Sequence, residues 1–228
     1  MQKTQTMTRE QLLRAQDISL QFFKAIEENK LIVPGKTEAQ LNEELTQLAL
    51  NEFGIRRHWH KKIVRAGRNT LSTYHEDPPD RVIAEDDILF IDLGPVVKGY
   101  EADIGRTYVL GSDDRKIKLK DDVERAWYEI QAWFREQTSL QASTLFEYAA
   151  WKAEEYGWEF GGAIAGHIVG KYPHEQPLDP FSLELDIHPD NPNDLFLRDE
   201  EGNERHWILE LQFVDRDREI GGYFEQLL

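Results

Sequence analysis

Apolar residues Leu12, Leu13, Ile18, Leu20, Phe22, Phe23 and Ile26 recur at roughly helical spacing, which predicts an amphipathic helix over Met7–Leu31. The run Val33-Pro34-Gly35-Lys36 stops it. Thr37, with Gln40 three residues on, has the form of an N-cap with its reciprocal partner and opens a second helix. That helix carries the stripe Leu41, Leu45, Leu48, Ala49 and Phe53, and Gly54 ends it. The pattern then changes. Ile63-Val64 and Thr70–Tyr74 read as strand-like stretches broken by Gly67, and Ile88–Ile91 is a short apolar run of the kind found in buried strands. A strand over Tyr100–Leu110 follows, reached through a turn at Val97-Lys98-Gly99. Two further helices are expected over Asp121–Gln141 and Ser143–Tyr156, the second closed by Gly157. Residues 173–206 hold five Pro and many Asp and Asn, so they read as a long irregular excursion, a kind of loop that is usually functional or mobile. Trp207–Val214 and Tyr223–Leu228 are the final strands. With no internal repeat and no linker, the expectation is a single α+β domain over residues 1–228.

Composition narrows the function. The 228 residues suffice for one proper core, and the absence of Cys removes disulfides, thiolate metal sites and Cys nucleophiles together. The net charge, 27 − 43 = −16, argues against a nucleic-acid partner, because phosphate binding needs Lys and Arg in excess. No apolar run is long enough to span a bilayer, and the first twenty residues carry charges with no apolar core region. The expectation is therefore a cytoplasmic protein with no membrane partner. The surplus of carboxylates is either a solvated surface or a metal site, and the choice turns on whether any acid sits inside a strand.

Four do. Asp92 follows the apolar run Ile88–Ile91, and Asp103 lies eleven residues on with the Lys98-Gly99 turn between them. An antiparallel hairpin folded there sets the two across from each other or nearly so. Like charges at cross-strand spacing are destabilising, so such a pair needs a proton, a cation or an Arg between its members. Glu210 in Trp207–Leu211 and Glu225 in Tyr223–Leu227 form a second candidate hairpin pair around a polar turn at Asp215–Arg218. Taken alone, each pair also fits an exposed face or an ordinary salt bridge. His167, in Gly166-His167-Ile168-Val169-Gly170, is either a hydrogen-bonded structural histidine or a ligand. Four carboxylates and one imidazole make a hard, oxygen-rich set, suited to a pair of Mn²⁺, Fe²⁺, Co²⁺ or Zn²⁺ ions.

Other groups carry less. His58-Trp59-His60 looks like a metal hook, but with both His on one strand face and Lys61-Lys62 following, it is given no ligand role. Asp113-Asp114 and Asp121-Asp122 read as solvated turns and helix N-terminal charge. Asp186–Asp194 lacks the regular spacing of a Ca²⁺ loop. Gly161, Gly162 and Gly166 suit close backbone approach, and no following Lys or Ser/Thr makes them a phosphate cradle.

These residues resemble the pita-bread metallopeptidases: methionine aminopeptidase, aminopeptidase P, prolidase and the non-peptidase creatinase. The resemblance is strongest over residues 60–111 and 161–178. It rests on Ile91-Asp92-Leu93-Gly94, on Asp103-Ile104-Gly105-Arg106-Thr107, and on His167 followed seven residues later by His174. It looks closer to the aminopeptidase P and prolidase branch. The resemblance implies a pita-bread fold, a curved antiparallel sheet flanked by helices. It implies two divalent ions, Mn²⁺ first and Co²⁺, Fe²⁺ or Zn²⁺ next, held by Asp92, Asp103, His167, Glu210 and Glu225. It also implies attack of a metal-bridging hydroxide on a scissile carbonyl, releasing the N-terminal residue of a peptide, with Xaa-Pro a candidate bond. Glu210 would double as proton shuttle. His174, and His75 seventeen residues before Asp92, would face substrate. A homodimer is allowed.

The chain departs from the family in five ways. The resemblance leads to the expectation of a chain without the N-terminal domain usual in aminopeptidase P, prolidase and creatinase. The chain has Leu211 where Pro generally follows the first Glu, and Ile168 where Gly generally follows the liganding His. It carries an irregular insertion at about 178–206. Glu225 also lies three residues from the last residue, which raises the question of a fraying ligand. Two alternatives stay open: a dimetal enzyme of the same fold acting on a small non-peptide molecule, and a non-catalytic binding protein.

Overall fold

The computed structural model describes residues 2–179 and 181–228, with side chains described from residue 8 onward. Among the described residues four α-helices, α1 (Gln2–Glu28), α2 (Glu38–Phe53), α3 (Asp114–Phe134) and α4 (Ala142–Glu155), accompany nine strands. These are β1 (Ile63–Ala66), β2 (Ile88–Leu93), β3 (Val96–Val97), β4 (Tyr100–Glu101), β5 (Ile104–Val109), β6 (Glu159–Phe160), β7 (Ile168–Val169), β8 (His206–Asp215) and β9 (Ile220–Leu227). The main sheet runs β1-β2-β5-β9-β8-β6, with β7 on β8 and every pairing antiparallel; β3 and β4 form a separate ribbon. The α+β expectation, with an antiparallel sheet flanked by helices, holds.

Strand alternation decides which residues reach the site. In β2, Leu89, Ile91 and Leu93 join the core built with α1 and α2, whereas Phe90 and Asp92 line a cavity on the opposite side. In β8, Leu209, Leu211 and Phe213 pack with α3 and α4, and Glu210 and Gln212 face the cavity. In β9, Phe224 packs against Trp127 of α3, at 5.5 Å between ring centroids, while its neighbours Tyr223 and Glu225 turn to the cavity. One face of the sheet is therefore covered by helices and the other carries the acids.

Several elements begin or end elsewhere than the pattern predicts. Helix α1 ends at Glu28, and Lys30 turns the chain with φ of 52°. The Thr37 capping box is present as expected, and Gly54 ends α2 at φ 64°. Thr70–Tyr74 is not a strand: Gly67–Leu71 forms a 3-10 turn, and a loop follows. Thr70 Oγ1 there accepts the Gly221 amide of β9 at 2.7 Å, and its carbonyl accepts from Gln212 Nε2 of β8 at 2.7 Å. The strand expected over Tyr100–Leu110 is broken at Ala102-Asp103, because the 96–101 hairpin leaves the sheet. Its turn is as expected, with Lys98 and Gly99 at φ 51° and 82°. That pair of positive values is what a two-residue hairpin demands. Helix α3 starts at Asp114: Asp113 is its N-cap, accepting from Arg115 N at 2.8 Å and Lys116 N at 3.1 Å. The solvated turn expected at Asp113 is thus a cap, whose two amide partners no count of charges reveals. Strand β9 begins at Ile220 and takes in Gly221 and Gly222, which the pattern left outside.

Among its described residues the segment 173–205 has no helix and no named strand, yet it is packed. Leu185, Ile187 and Leu195 are buried, and Asn191 donates to Leu183 O and Asp186 O. The Ile187 amide bonds Gly166 O at 2.8 Å, just ahead of His167. No described helix is long and apolar enough to cross a membrane.

Candidate metal centre

Asp92, Asp103, His167, Glu210 and Glu225 line one cavity of about 460 Å³. The register differs in one detail from the expected hairpin. Asp92 faces Gly105 across the β2–β5 ladder, and Asp103 sits at the break just before β5. Glu210 and Glu225 are direct cross-strand partners, as expected. Glu225 is not on a fraying end. It lies between Gly105 of β5 and Glu210 of β8, the Leu227 amide bonds Gln16 Oε1, and the Leu228 amide bonds Trp207 O.

Asp103 is the hub. Its two oxygens meet two histidines: His60 Nε2 at 3.0 Å from Oδ1 and His167 Nε2 at 3.3 Å from Oδ2. His167 Nε2 also lies 3.7 Å from Glu225 Oε1, and His60 Nε2 lies 3.6 Å from Asp92 Oδ1. Donor atoms gather in two groups, His60-Asp92-Asp103 and Asp103-His167-Glu225, that share Asp103. Glu210 stands beside them, its Oε2 accepting from Tyr223 Oη at 2.7 Å.

The electrostatics are those of a site short of positive charge. Asp92, Asp103 and Glu225 are 6%, 2% and 1% exposed. Burial, with Asp103 adding and His60 opposing, pushes the Asp92 carboxyl up to about 7. Burial raises Glu225 well above the carboxylate range and also raises Glu210. Burial acts the same way on Asp103, but His60 and His167 outweigh it and hold that carboxyl below its ordinary value. Against its own burial, His60 is raised to about 9 by Asp103 and Asp92. Two buried oxygens, Asp92 Oδ1 and Glu225 Oε2, have no hydrogen-bond partner among the described residues. Unsatisfied carboxylate oxygens facing imidazole nitrogens are a donor set that divalent ions fit. Four carboxylates balance two divalent ions with both imidazoles neutral.

The remaining candidates take different places. His174 lies on the cavity wall with Nδ1 2.8 Å from Glu101 Oε2, and Glu101 also accepts the amides of His174 and Gly170. His75 is at the mouth, on an exposed loop, with its ring against Tyr74. That loop is tied down by Arg65, whose guanidinium donates to Ser72 O and Glu76 O. Ser182, Leu185 and Asp186 show that the insertion supplies one wall.

Four site residues escaped the sequence reading. His60, given no ligand role, stands against Asp103 because residues 57–60 run beside the end of β2: Trp59 N bonds Gly94 O and Val96 N bonds Arg57 O, each at 2.9 Å. Trp59 packs edge-on against His60, His167 and His174. Glu101 fixes His174, and Tyr223 fixes Glu210. Glu101, between Tyr100 and Ala102 next to a turn, carried no signal of its own, and His60 offered the hook motif itself.

A family model described as Metallopeptidase family M24 matches residues 10–195. Methionine aminopeptidase of Helicobacter pylori is 32% identical over 124 residues, which is 51% of this chain and 46% of that protein. Among solved structures, a prolidase from Thermococcus sibiricus has a TM-score of 0.72 at 25% identity, covering 98% of this chain and 55% of its own. An X-Pro aminopeptidase from Thermotoga maritima has a TM-score of 0.75 at 22% identity, covering 96% and 56%. The chain thus spans about half the length of each. These neighbours share the pita-bread fold. The family match stops before Glu210 and Glu225, so for those two residues the geometry alone carries the argument.

Proposed function

Because the chain belongs to metallopeptidase family M24, we propose that it is a dinuclear metal-dependent aminopeptidase that releases the N-terminal residue of peptides, with Xaa-Pro bonds the first candidates. The observation that carries this reading is the convergence on Asp103 of two donor groups whose outer oxygens, Asp92 Oδ1 and Glu225 Oε2, lack partners. The names of the prolidase and X-Pro aminopeptidase neighbours support the choice of bond. Asp92, Asp103, His167, Glu210 and Glu225 would hold the ions, with Mn²⁺ the first to try. When bound, such a pair of ions supplies Lewis acidity, acidifying a water and polarising the scissile carbonyl.

This chain's own residues do the rest. Glu210 sits at the cavity surface with one oxygen held by Tyr223, so its other oxygen is placed to take a proton and return it to the leaving nitrogen. His174 is held through its Nδ1–H by the Glu101 carboxylate, which leaves Nε2 to face the substrate, where it accepts a hydrogen bond in the neutral ring and donates one in the imidazolium. Trp59 and Phe90 make apolar walls that exclude water around these groups. His75, on a loop clamped by Arg65, is placed to meet the substrate at the mouth. The cavity is of a size that takes small ligands rather than folded chains. We take residues 1–228 as one catalytic unit with the insertion as part of its wall.

The test is metal content per chain on protein purified without chelator, followed by a panel of Xaa-Pro, Met-Xaa and blocked peptides. Near two divalent ions and release of a free N-terminal residue is the expected result. Two ions with no hydrolysis of any peptide would move the reading to a small non-peptide substrate. No ions after addition of Mn²⁺ or Co²⁺ would overturn it.

A further inference from the structure

We propose that His60 is a sixth donor, binding through Nε2 the ion held by Asp92 and Asp103; this rests on the dinuclear reading above. The two histidines at Asp103 are arranged alike. His60 Nδ1 lies 2.7 Å from the carbonyl of the next residue, Lys61, and His167 Nδ1 lies 2.8 Å from that of its next residue, Ile168. A carbonyl can only accept, so each Nδ1 carries its proton, and in the neutral ring the lone pair is on Nε2. Such a carbonyl partner on the far nitrogen is the usual support of a metal-ligating histidine. Both Nε2 atoms point at Asp103, one at each oxygen. His167 serves Asp103 and Glu225, and His60 serves Asp103 and Asp92. Each end of the site thereby receives one nitrogen and the shared carboxylate.

The surroundings hold His60 in that position. Its side chain is 5% exposed. The Trp59 indole packs on it at 4.5 Å between centroids and is itself anchored to Ala102 O through Nε1. A Cβ on Gly94 would lie 2.0 Å from His60 Cδ2 and 2.3 Å from Nε2, so the ring comes this close only because residue 94 has no side chain. A histidine that merely hydrogen-bonded Asp103 would need none of the approach to Asp92.

The test is Co²⁺ titration followed by visible absorption and calorimetry, on the wild type, His60→Ala, His60→Gln and Gly94→Ala. In the wild type two ions bind. In His60→Ala one of the two binding constants should weaken by about 10–100-fold, the range seen when a metal site loses ligand support, while the other holds. The Co²⁺ bands should shift as a nitrogen donor is lost, and Gly94→Ala should reproduce the shift with every donor residue present. His60→Gln keeps an N–H for Asp103 but no imidazole, so recovery of the wild-type spectrum and affinity in that variant would overturn the proposal. Unchanged constants and spectrum in His60→Ala would do so too. X-ray absorption on the Zn²⁺-loaded wild type needs no variant: two imidazoles per pair of ions are expected, and one would refute the idea. A wild type that bound no ion at all would overturn the dinuclear reading, and this inference with it. Two ions with no effect at His60 would overturn this inference alone.

Discussion

Replacing Asp92 with Asn should make the metal-free protein more stable at pH 8 and remove much of its stabilisation by divalent ions. Asp92 is 6% exposed, with Oδ1 unpartnered, and burial pushes its carboxyl from 3.8 up to about 7. A carboxyl raised in the folded state binds its proton more tightly there than in the unfolded chain. Its cost is therefore absent below about pH 4, grows between pH 4 and 7, and is complete above 7. The gap between 3.8 and about 7 corresponds to a cost on the order of 4 kcal/mol. That figure is already net of the attraction of His60 for the carboxylate, which opposes the rise. For a chain of this length, each kcal/mol moves the melting temperature by about 2–4 °C. Ions act in the opposite direction on the wild type. At a free concentration one hundred times Kd, each site adds about 2.7 kcal/mol. The assay is calorimetry or urea unfolding of both proteins at pH 5 and 8, with chelator and with Mn²⁺. The expected pattern is Asn above wild type at pH 8 without metal, a smaller gap at pH 5 where Asp92 is protonated, and a larger Mn²⁺ gain for the wild type. An Asn variant less stable than wild type at pH 8 without metal would refute the electrostatic reasoning. Equal Mn²⁺ gains in the two proteins would refute the ligand assignment.

Other variants separate the roles around the cavity. His174→Ala should lower kcat by about 10²-fold, the scale of one lost transition-state donor, and leave metal content unchanged. Glu101→Gln should act in the same direction more weakly, since it loosens His174 rather than deleting it; steady-state kinetics beside elemental analysis checks both. Tyr223→Phe removes the hydroxyl that bonds Glu210 at 2.7 Å. A hydrogen bond to a charged group is worth roughly 1.5 kcal/mol or more, so kcat should fall about tenfold with the fold intact. Gly166→Ala should destabilise by about 3 kcal/mol or more, read by thermal unfolding. Gly166 has φ of 136°, and a Cβ there would lie 1.9 Å from Ile208 O.

Much of the fold was written in local periodicity. The alternation in Trp207–Leu211 and Tyr223–Leu227 placed Glu210 and Glu225 on one face, and the observed register pairs them directly. The capping residues Thr37 and Gly54 and the Lys98-Gly99 turn were legible because each acts within a few residues of itself. The errors came where a residue answers to a distant partner. Thr70 looked β-forming and instead caps β9, 151 residues away in the chain. Gly221 and Gly222 lay outside the strand expected over Tyr223–Leu228, yet they lie within β9. The site divides in the same way. Its acids were recognisable because a carboxylate inside an apolar run breaks a local rule.

His60 broke no such rule. It became a site residue only when a sheet edge brought it to Asp103, 43 residues on. Glu101 and His174 meet across 73 residues. Sequence by itself determined that the chain combines helices and strands in an α+β domain with acids set inside strands, because side-chain alternation and helical periodicity are properties of short segments; the curved antiparallel sheet flanked by helices came from the family resemblance. Only the tertiary structure decided that Asp103 is the shared carboxylate, that it has a histidine on each oxygen, and that Glu225 sits between two strands, because those contacts depend on the register and closure of strands far apart in the chain.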